Sequence, residues 1–358
     1  MTTRSRIDWA EPGIAEVSPG VHRVPLPMPG DSLRAVNVYA IEDGAGITLI
    51  DGGWVQESAR TELERALRTL DCGLGAITRF LVTHAHRDHY TLAVALRREL
   101  GTPIGLGAGE RATIDALTSR VHRYAAQVGL LRAAGAPELA DAVQAGGSTV
   151  DASEEAWEQP DEWLHAGTLE LTDRALRVVP TPGHTQGHLV FVSEQDGLLF
   201  AGDHVLPHIT PSIGFEPVPA ASPLTDYLSS LRTVRALPDL RLLPAHGEVT
   251  ASSHTRVDEL VAHHDDRLIA TREVVAALGP CSGYEVAATL RWTRRGRAFS
   301  SLDELNQMLA VTETVAHLRV LVETGLVQQS DAAGVVAYDV DRGVDQPRVM
   351  ARSEGEPR

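Results

Sequence analysis

The sequence contains the stretch Thr83-His84-Ala85-His86-Arg87-Asp88-His89, in which three imidazoles and one carboxylate stand within six residues. It follows the apolar run Phe80-Leu-Val, which predicts a buried strand. Imidazole nitrogen with some carboxylate oxygen is the donor set that zinc and similar cations prefer. A turn after a strand can aim alternate side chains at one point. His84 and His86 could then hold one ion, and Asp88 and His89 a second.

Three later stretches carry the same residue types, and each follows an apolar strand. They are Thr181-Pro-Gly-His184-Thr-Gln-Gly-His188, Phe200-Ala-Gly-Asp203-His204 and Pro244-Ala-His246-Gly247. A histidine or aspartate at one such position is more typical of a turn. Together, and in this order, they favour one metal centre that includes His184, Asp203 and His246.

These motifs resemble the metallo-β-lactamase superfamily, in particular its glyoxalase-II-like and lactamase-β-like branch, over about residues 20 to 250. The resemblance implies an α/β fold, the four-layer αβ/βα sandwich, with the site at one edge of two packed sheets. It implies two divalent metal ions, zinc as the first expectation and iron or manganese as alternatives. The ligands that it assigns are His84, His86 and His184 for the first metal, Asp88, His89 and His246 for the second, and Asp203 as the bridge.

Four further residues are candidates for supporting or substrate-contacting roles. Asp51, in Ile50-Asp-Gly-Gly53, stands where the resemblance implies a supporting aspartate, and a turn aspartate is the alternative. Tyr90, His204 and His208 lie near the ligands in sequence, so each could touch the substrate. His188 is interpreted as structural or exposed.

The length of 358 residues suggests about two domains. We predict a catalytic domain over residues 1–255, with a helical insertion at about 107–166 that is either ordinary helical core or a lid over the substrate. Helical patterns followed by a hairpin predict a winged-helix-like α+β domain over residues 256–340. Residues 341–358 are polar and aperiodic, which predicts a mobile tail.

The composition excludes several kinds of chemistry. All 32 basic residues are arginine, so neither a Schiff-base lysine nor a P-loop lysine exists. The net charge of -16 disfavours nucleic acid partners. Cys72 and Cys281 are far apart, which argues against a disulfide framework and favours a cytoplasmic location. We also expect no membrane partner, because no run of 18 apolar residues occurs.

The favoured function is metal-assisted hydrolysis of a small-molecule acyl substrate, a thioester or an ester. Asp88 would accept the proton of the attacking water, and Asp203 would bridge the metals. An endoribonuclease of the lactamase-β-like type is an alternative, suggested by the winged-helix-like domain and the arginine-rich stretch 291–297.

Two other functions also remain open. A persulfide dioxygenase would bind one iron through His84, His184 and Asp203. A metal site kept only for stability would make the protein a binding module. Homodimer contact is a further interpretation of the C-terminal domain.

Overall fold

The computed structural model describes residues 8–44, 46–119, 124–146, 157–293 and 295–340. The fold divides into two compact units. The first comprises residues up to Gln127 and from Gln144 to His263, and the second comprises Val128–Val143 and the residues from His264 onwards. Within the described ranges, no helix combines the length and the apolar character needed to cross a membrane.

The first unit contains two β-sheets. The strands of the first sheet, in spatial and chain order, are β1 (Ala15–Ser18), β2 (Val21–Pro27), β3 (Ala35–Asp43), β4 (Gly46–Ile50), β5 (Ile77–Val82), β6 (Ile104–Gly107) and β7 (Glu162–Leu164). The strands of the second sheet are β8 (Gly167–Glu170), β9 (Ala175–Pro180), β10 (Leu189–Ser193), β11 (Leu198–Gly202) and β12 (Arg241–Pro244), in the spatial order β12-β11-β10-β9-β8. Strands β4 to β7 are parallel, as are β11 and β12, and the other neighbours are antiparallel.

The first seven helices of the described chain are, in chain order, α1 (Glu57–Arg68), α2 (Arg87–Leu100), α3 (Arg111–Thr118), α4 (Ala125–Ala133), α5 (Pro137–Gly146), α6 (Pro223–Arg235) and α7 (Ser253–Leu278). α1, α2, α3 and α6 belong to the first unit, whereas α4, α5 and α7 are divided between the two units. α1 is amphipathic, since Ala59, Leu63, Ala66 and Leu67 recur at helical spacing and are all buried. α2 ends at Gly101, whose φ of 75° gives the left-handed cap that favours glycine.

The core of the first unit lies on both faces of the first sheet. Between the sheets, Tyr39 packs on Phe200 with ring centroids 5.5 Å apart, in a cluster that also contains Ile50. On the other face, Leu63 of α1 and Leu96 of α2 are buried in a second cluster. The predicted α/β class with two packed sheets is therefore confirmed.

Three strands of the first sheet, β1, β6 and β7, were not expected from the sequence. β1 adds an edge to the first sheet, and β7 pairs with β6 at the opposite edge. β7 falls within the segment 107–166 that was predicted to be a helical insertion, and the α-helices among the described residues of that segment are α3, α4 and α5. Three residues are too few to show a period, which is why the pattern did not reveal β7. Residues 120–123 and 147–156 of the insertion lie outside the described residues.

The second unit contains most of α4 and α5, the part of α7 from His264 onwards, two further helices and small sheets. Besides α7 from His264 onwards, its elements include β13 (Cys281–Ser282), α8 (Gly283–Thr289), β14 (Arg291–Trp292), β15 (Arg297–Ala298), α9 (Glu304–Glu323), β16 (Gln328–Ala332) and β17 (Val335–Asp339). The hairpin β16–β17 pairs with β13. Ser282 and Glu285 form a capping box that starts α8.

These elements match the predicted helices and terminal hairpin, and the winged-helix-like character stays a prediction. The domain boundary placed at residue 255 lies inside α7, which begins at Ser253. The predicted tail, 341–358, lies outside the described residues.

Candidate metal centre

The seven predicted ligands stand at the carboxyl ends of strands. β5 ends at Val82, and α2 begins at Arg87, so His84 and His86 lie in the intervening loop while Asp88 and His89 occupy the first turn of the helix. The remaining three follow strands of the second sheet: His184 lies between β9 and β10, Asp203 follows β11, and His246 follows β12. Ligands that are far apart in sequence therefore meet at one edge of the sandwich.

Four donor atoms form the first group. His86 Nδ1 lies 2.9 Å from His84 Nε2 and 3.1 Å from His184 Nε2. Asp203 Oδ2 lies 3.5 Å from His184 Nε2, and one donor atom of each of the four residues lies within 4.8 Å of the others. Tetrahedral zinc with its usual bond lengths separates its ligand atoms by about 3.3 Å. The spacing of this group fits such an ion.

Three donor residues form the second group. Asp88 Oδ2 lies 3.4 Å from His89 Nε2 and 3.2 Å from His246 Nε2. The other oxygen of Asp203, Oδ1, lies 3.5 Å from His246 Nε2 and 3.7 Å from His89 Nε2. Asp203 thus presents one carboxylate oxygen to each group, which is the arrangement of a bridging ligand.

Hydrogen bonds on the outer side of the rings fix the orientation of four histidines. In each of them Nδ1 pairs with an oxygen atom outside the cluster, at 2.8–3.0 Å, and Nε2 points into it. The pairs are His84 with Thr83 Oγ1, His89 with Asp51 Oδ2, His184 with Ser212 O and His246 with Ala35 O. A partner of this kind selects the tautomer that offers a lone pair to a metal. His86 is oriented the other way and offers Nδ1.

Two buried polar atoms at the second group, one of His89 and one of the bridging Asp203, indicate whether a cation fits there. His89 Nε2 and Asp203 Oδ1 have no hydrogen-bond partner among the described residues, although both are buried. Burying polar atoms without partners is unfavourable, and native structures almost always satisfy them. A divalent cation between these two atoms would satisfy both. The residues present therefore fit a His/Asp metal-binding cluster.

The protonation of the first group also suits a cation. Burial, together with the neighbouring imidazoles, lowers the pKa of His86 to about 3 and holds the pKa of His84 well below its usual value. Burial likewise lowers the pKa of His184 to about 4. These rings are neutral at physiological pH, and the neutral imidazole is the form that binds metals.

Asp51 supports the cluster from behind. It accepts hydrogen bonds from the backbone N–H of Thr83 at 2.8 Å and from His89 Nδ1 at 2.9 Å. Its φ of 64° lies in the left-handed region, which costs a residue other than glycine about 1–3 kcal/mol. The hydrogen bonds of its carboxylate offset this strain. The structure thus places Asp51 against the loop of His84 and against the ring of His89.

Two of the residues predicted to contact the substrate, Tyr90 and His204, are buried. Tyr90 is fully buried, its hydroxyl donates to the backbone carbonyl of Glu158, and its ring stacks on Trp157. His204 is also fully buried, and its ring packs against the ring of Tyr227. A residue adjacent to a ligand can thus point into the core, and a substrate contact of Tyr90 or His204 stays a prediction. His208 is exposed, and its substrate contact stays a prediction.

Two buried residues hold the ligand loops: His188, which was interpreted as structural or exposed, and Glu110, which the sequence did not single out. His188 Nδ1 pairs with Thr181 Oγ1 at 2.8 Å, and its Nε2 accepts a hydrogen bond from the backbone N–H of Asp203 at 3.2 Å. Glu110 accepts hydrogen bonds from the Thr185 hydroxyl and from backbone N–H groups of the two loops that carry His84, His86 and His184. Burial raises the pKa of Glu110 to about 7.

The glycines around Glu110 were the signal that could have revealed it. A Cβ on Gly109 would lie 2.6 Å from the carbonyl oxygen of Gln186, and a Cβ on Gly187 would lie 2.2 Å from the backbone nitrogen of Glu110. The turn that carries Glu110 therefore packs backbone to backbone against the loop of His184. Such close approach requires glycine on both sides.

A pocket opens beside His86 in the same unit. It is partly open to solvent, offers a volume of about 40 Å³ to the centre of a water-sized sphere, and is lined mainly by apolar and aromatic side chains, among them Leu117, Tyr124, Trp157, Phe215 and Pro217. Arg87, the residue after His86, also lines it. A binding site for an organic substrate is typically such a concave apolar surface with a few polar groups.

The arginine-rich stretch 291–297 makes contacts inside its own unit. Arg267 lies over the ring of Trp292 at 4.1 Å and donates to the backbone carbonyl of Arg291. Arg297 donates to Ser301. Trp292 and the backbone of Arg291 thus contribute to local packing. Arg294 lies outside the described residues.

Comparison with known proteins agrees with this geometry. A family model described as the metallo-beta-lactamase superfamily matches residues 31–246. The chain is 26% identical over 310 residues to "Probable metallo-hydrolase YqjP" of Bacillus subtilis (strain 168), an alignment that covers 84% of this chain and 90% of that protein.

Solved structures give the same result. A metallo-beta-lactamase family protein from Thermus thermophilus is similar with a TM-score of 0.74 and 28% identity, over 91% of this chain and 100% of that one. A beta-lactamase domain protein from Burkholderia ambifaria is similar with a TM-score of 0.74 and 29% identity, over 92% of this chain and 93% of that one.

Proposed function

The chain belongs to the metallo-beta-lactamase superfamily and is a metallo-hydrolase with a His/Asp metal-binding cluster, and from that premise we propose that it hydrolyses a thioester or an ester of a small molecule. The observation that carries the proposal is the position of Asp203, whose two carboxylate oxygens face two separate groups of histidines. This position supports two divalent ions, with zinc as the first candidate.

His84, His86 and His184 would hold one ion, Asp88, His89 and His246 the other, and Asp203 both. When bound, a pair of divalent ions lowers the pKa of a water molecule and stabilises negative charge on an acyl oxygen. Asp51 and His188 contribute by holding His89 and Asp203 in place.

Asp88 is the proton carrier in this proposal. It would take one proton from the attacking water while the water oxygen bonds to the acyl carbon. The bond from that carbon to sulfur or oxygen then breaks, and the leaving group takes the proton from Asp88. One water is consumed, and a carboxylic acid and a thiol or alcohol are released.

The charges around the site support an acyl substrate over a phosphodiester. Of the residues lining the pocket in the described part of the chain, Arg87 alone is a cation. The net charge of the chain is -16. A polyanion such as RNA is repelled by that charge, whereas an uncharged acyl group is not.

The test combines metal analysis with a substrate panel. Protein purified without added metal is analysed for its elements and is then offered an acetyl thioester, an acetyl ester, an RNA oligonucleotide and a persulfide. We expect two divalent ions per chain and release of thiol or alcohol, abolished in Asp203→Ala. Cleavage of RNA with no acyl hydrolysis would favour the endoribonuclease. One iron per chain with oxygen uptake on the persulfide would favour the dioxygenase.

A further inference from the structure

The pocket beside His86 has walls made of aromatic rings. Phe215 lies with its ring centroid 6.3 Å from that of His86 and 5.9 Å from that of Tyr124. Trp157 forms another part of the lining. One ligand of the metal cluster thus stands at the border of an aromatic surface, so a group bound on that surface would lie next to the reacting centre.

Contacts with neighbouring residues hold two of these rings in position. Trp157 stacks on the buried ring of Tyr90, with centroids 5.9 Å apart and planes 16° apart. The amide of Gln127, on α4, donates to the backbone carbonyl of Glu216 at 2.8 Å, which fastens the segment that carries Phe215. A wall that is ordered before the substrate arrives loses little conformational entropy on binding.

The same segment is also tied to the metal cluster. The carbonyl oxygen of Ser212 pairs with His184 Nδ1 at 2.8 Å. Three residues further on comes Phe215, and Glu216 Oε1 then accepts the backbone N–H of Gln186 at 2.7 Å. The aromatic wall and the ligand His184 are therefore held by one continuous set of hydrogen bonds, so their relative position is defined.

The polar groups of the lining include a single cation, Arg87, among the described residues. The Gln127 amide nitrogen is used in the hydrogen bond to Glu216 O. Burial, together with the neighbouring Glu110, raises the pKa of Glu216 to about 9. The Arg87 guanidinium lies over the ring of Trp54, 4.4 Å from its centroid. What remains for a substrate is mainly apolar surface, to which the aromatic rings contribute.

We propose that the surface formed by Tyr124, Trp157 and Phe215 is the acyl-binding site and that it selects a flat aromatic acyl group. Aromatic rings prefer offset or edge-to-face contact with other rings and gain about 0.5–1.5 kcal/mol per pair beyond the area that they bury. A benzoyl-like group can make such contacts with all three walls while its carbonyl carbon lies towards His86. The inference rests on the proposed acyl hydrolysis and adds the class of acyl group.

The test compares acyl thioesters of one thiol, N-acetylcysteamine, that differ only in the acyl group: acetyl, hexanoyl and benzoyl. We expect kcat/KM to be at least about tenfold higher for the benzoyl substrate than for the other two. One or two contacts between its ring and the aromatic side chains would give a difference of that size. In Phe215→Ala the ratio of kcat/KM for the benzoyl substrate to that for the acetyl substrate should fall about tenfold. Val218→Ala, in the same segment and 38% exposed, is the matched control and should keep the preference.

A binding measurement separates this inference from the proposed function. Calorimetry with benzoate and acetate uses the protein as purified and needs no turnover. Tighter binding of benzoate that is lost in Phe215→Ala supports the aromatic site even if no thioester is cleaved, in which case only the acyl hydrolysis fails.

Other results overturn the aromatic site itself. Hydrolysis of all three thioesters without a benzoyl preference, a hexanoyl preference, or equal binding of benzoate and acetate would each do so. If Phe215→Ala does not fold, as judged by circular dichroism, Phe215→Leu and Tyr124→Leu replace the ring by an apolar side chain and give the same test.

Discussion

His188 accepts, through Nε2, a hydrogen bond from the backbone N–H of Asp203 at 3.2 Å. Its other ring nitrogen pairs with the hydroxyl of Thr181, and the ring is fully buried. Asp203 is the residue whose carboxylate faces both groups of metal-binding side chains. A histidine that binds no ion itself therefore sets the position of the bridging carboxylate.

The first prediction concerns this contact. His188→Ala removes the acceptor for the Asp203 backbone, so the carboxylate is held less well. We expect metal affinity or activity to fall about 10–100-fold, as when other residues that orient metal ligands are replaced. Chelator competition measures the affinity. His254→Ala, which changes a histidine bonded to the Leu237 carbonyl, is the control and should bind metal as the parent does.

The second prediction concerns Gly202, at the end of β11. Its φ is 50°, and a Cβ would lie 2.7 Å from both His188 Nε2 and Thr83 Oγ1. Gly202→Ala should therefore lower the free energy of unfolding by roughly 2–4 kcal/mol and reduce metal content. Denaturant unfolding and elemental analysis measure the two effects.

Gly197→Ala is the control for Gly202→Ala. Gly197 has a similar φ of 66°, but no atom of the described chain lies within 4 Å of its Cβ position. In this variant the free energy of unfolding should fall by only about 1–2 kcal/mol, which is the cost of a left-handed backbone for alanine, and the metal content should not change. Equal losses of stability in the two variants would show that the close contacts with His188 and Thr83 do not contribute to the effect of Gly202→Ala.

The third prediction separates the two groups of ligands. His184→Ala removes a donor of the first group, and His246→Ala removes one of the second. Each variant should lose one metal ion per chain relative to the parent, whereas Asp203→Ala should lose both, since its two oxygens face both groups. Elemental analysis gives the count, and circular dichroism verifies the fold. An unchanged count in His246→Ala would leave the second group without a role in metal binding.

The fourth prediction concerns Glu216 and pH. Burial raises the pKa of Glu216 from 4.5 to about 9, so the folded protein keeps a proton that the unfolded chain releases above pH 4.5. The stability contributed by this protonated carboxyl is complete below pH 4.5 and is lost as the pH rises towards about 9. Glu216→Gln remains neutral and still accepts the Gln186 N–H.

The measurement is the free energy of unfolding of the parent and of Glu216→Gln across this pH range. The variant should become the more stable of the two as the pH rises, by at most about 1.4 kcal/mol per pH unit. Glu170→Gln, a change at an exposed position, should follow the parent at every pH. Parallel curves for the parent and Glu216→Gln would mean that Glu216 is ionised in the folded protein.

Much of the chemistry followed from local sequence. A cluster such as His84, His86, Asp88 and His89 has few explanations other than a metal, because imidazole and carboxylate are metal donors and a short loop after a strand keeps them together. The α/β class followed in the same way, because strand and helix patterns depend on neighbouring residues. The resemblance carried by these motifs predicted the partners His184, Asp203 and His246.

The tertiary structure decided which groups face the cluster and which do not. Tyr90 follows His89 directly, yet it points into the core, because adjacent residues on a helix face different directions. His188 and Glu110 became visible only once the loops were packed, since their partners are backbone groups of residues remote in sequence. The sequence by itself thus determined the donor atoms and the fold class. Packing alone determined the hydrogen bonds that hold those donors and the aromatic surface beside them. Both depend on distances between segments that are remote in sequence, and no local pattern encodes such distances.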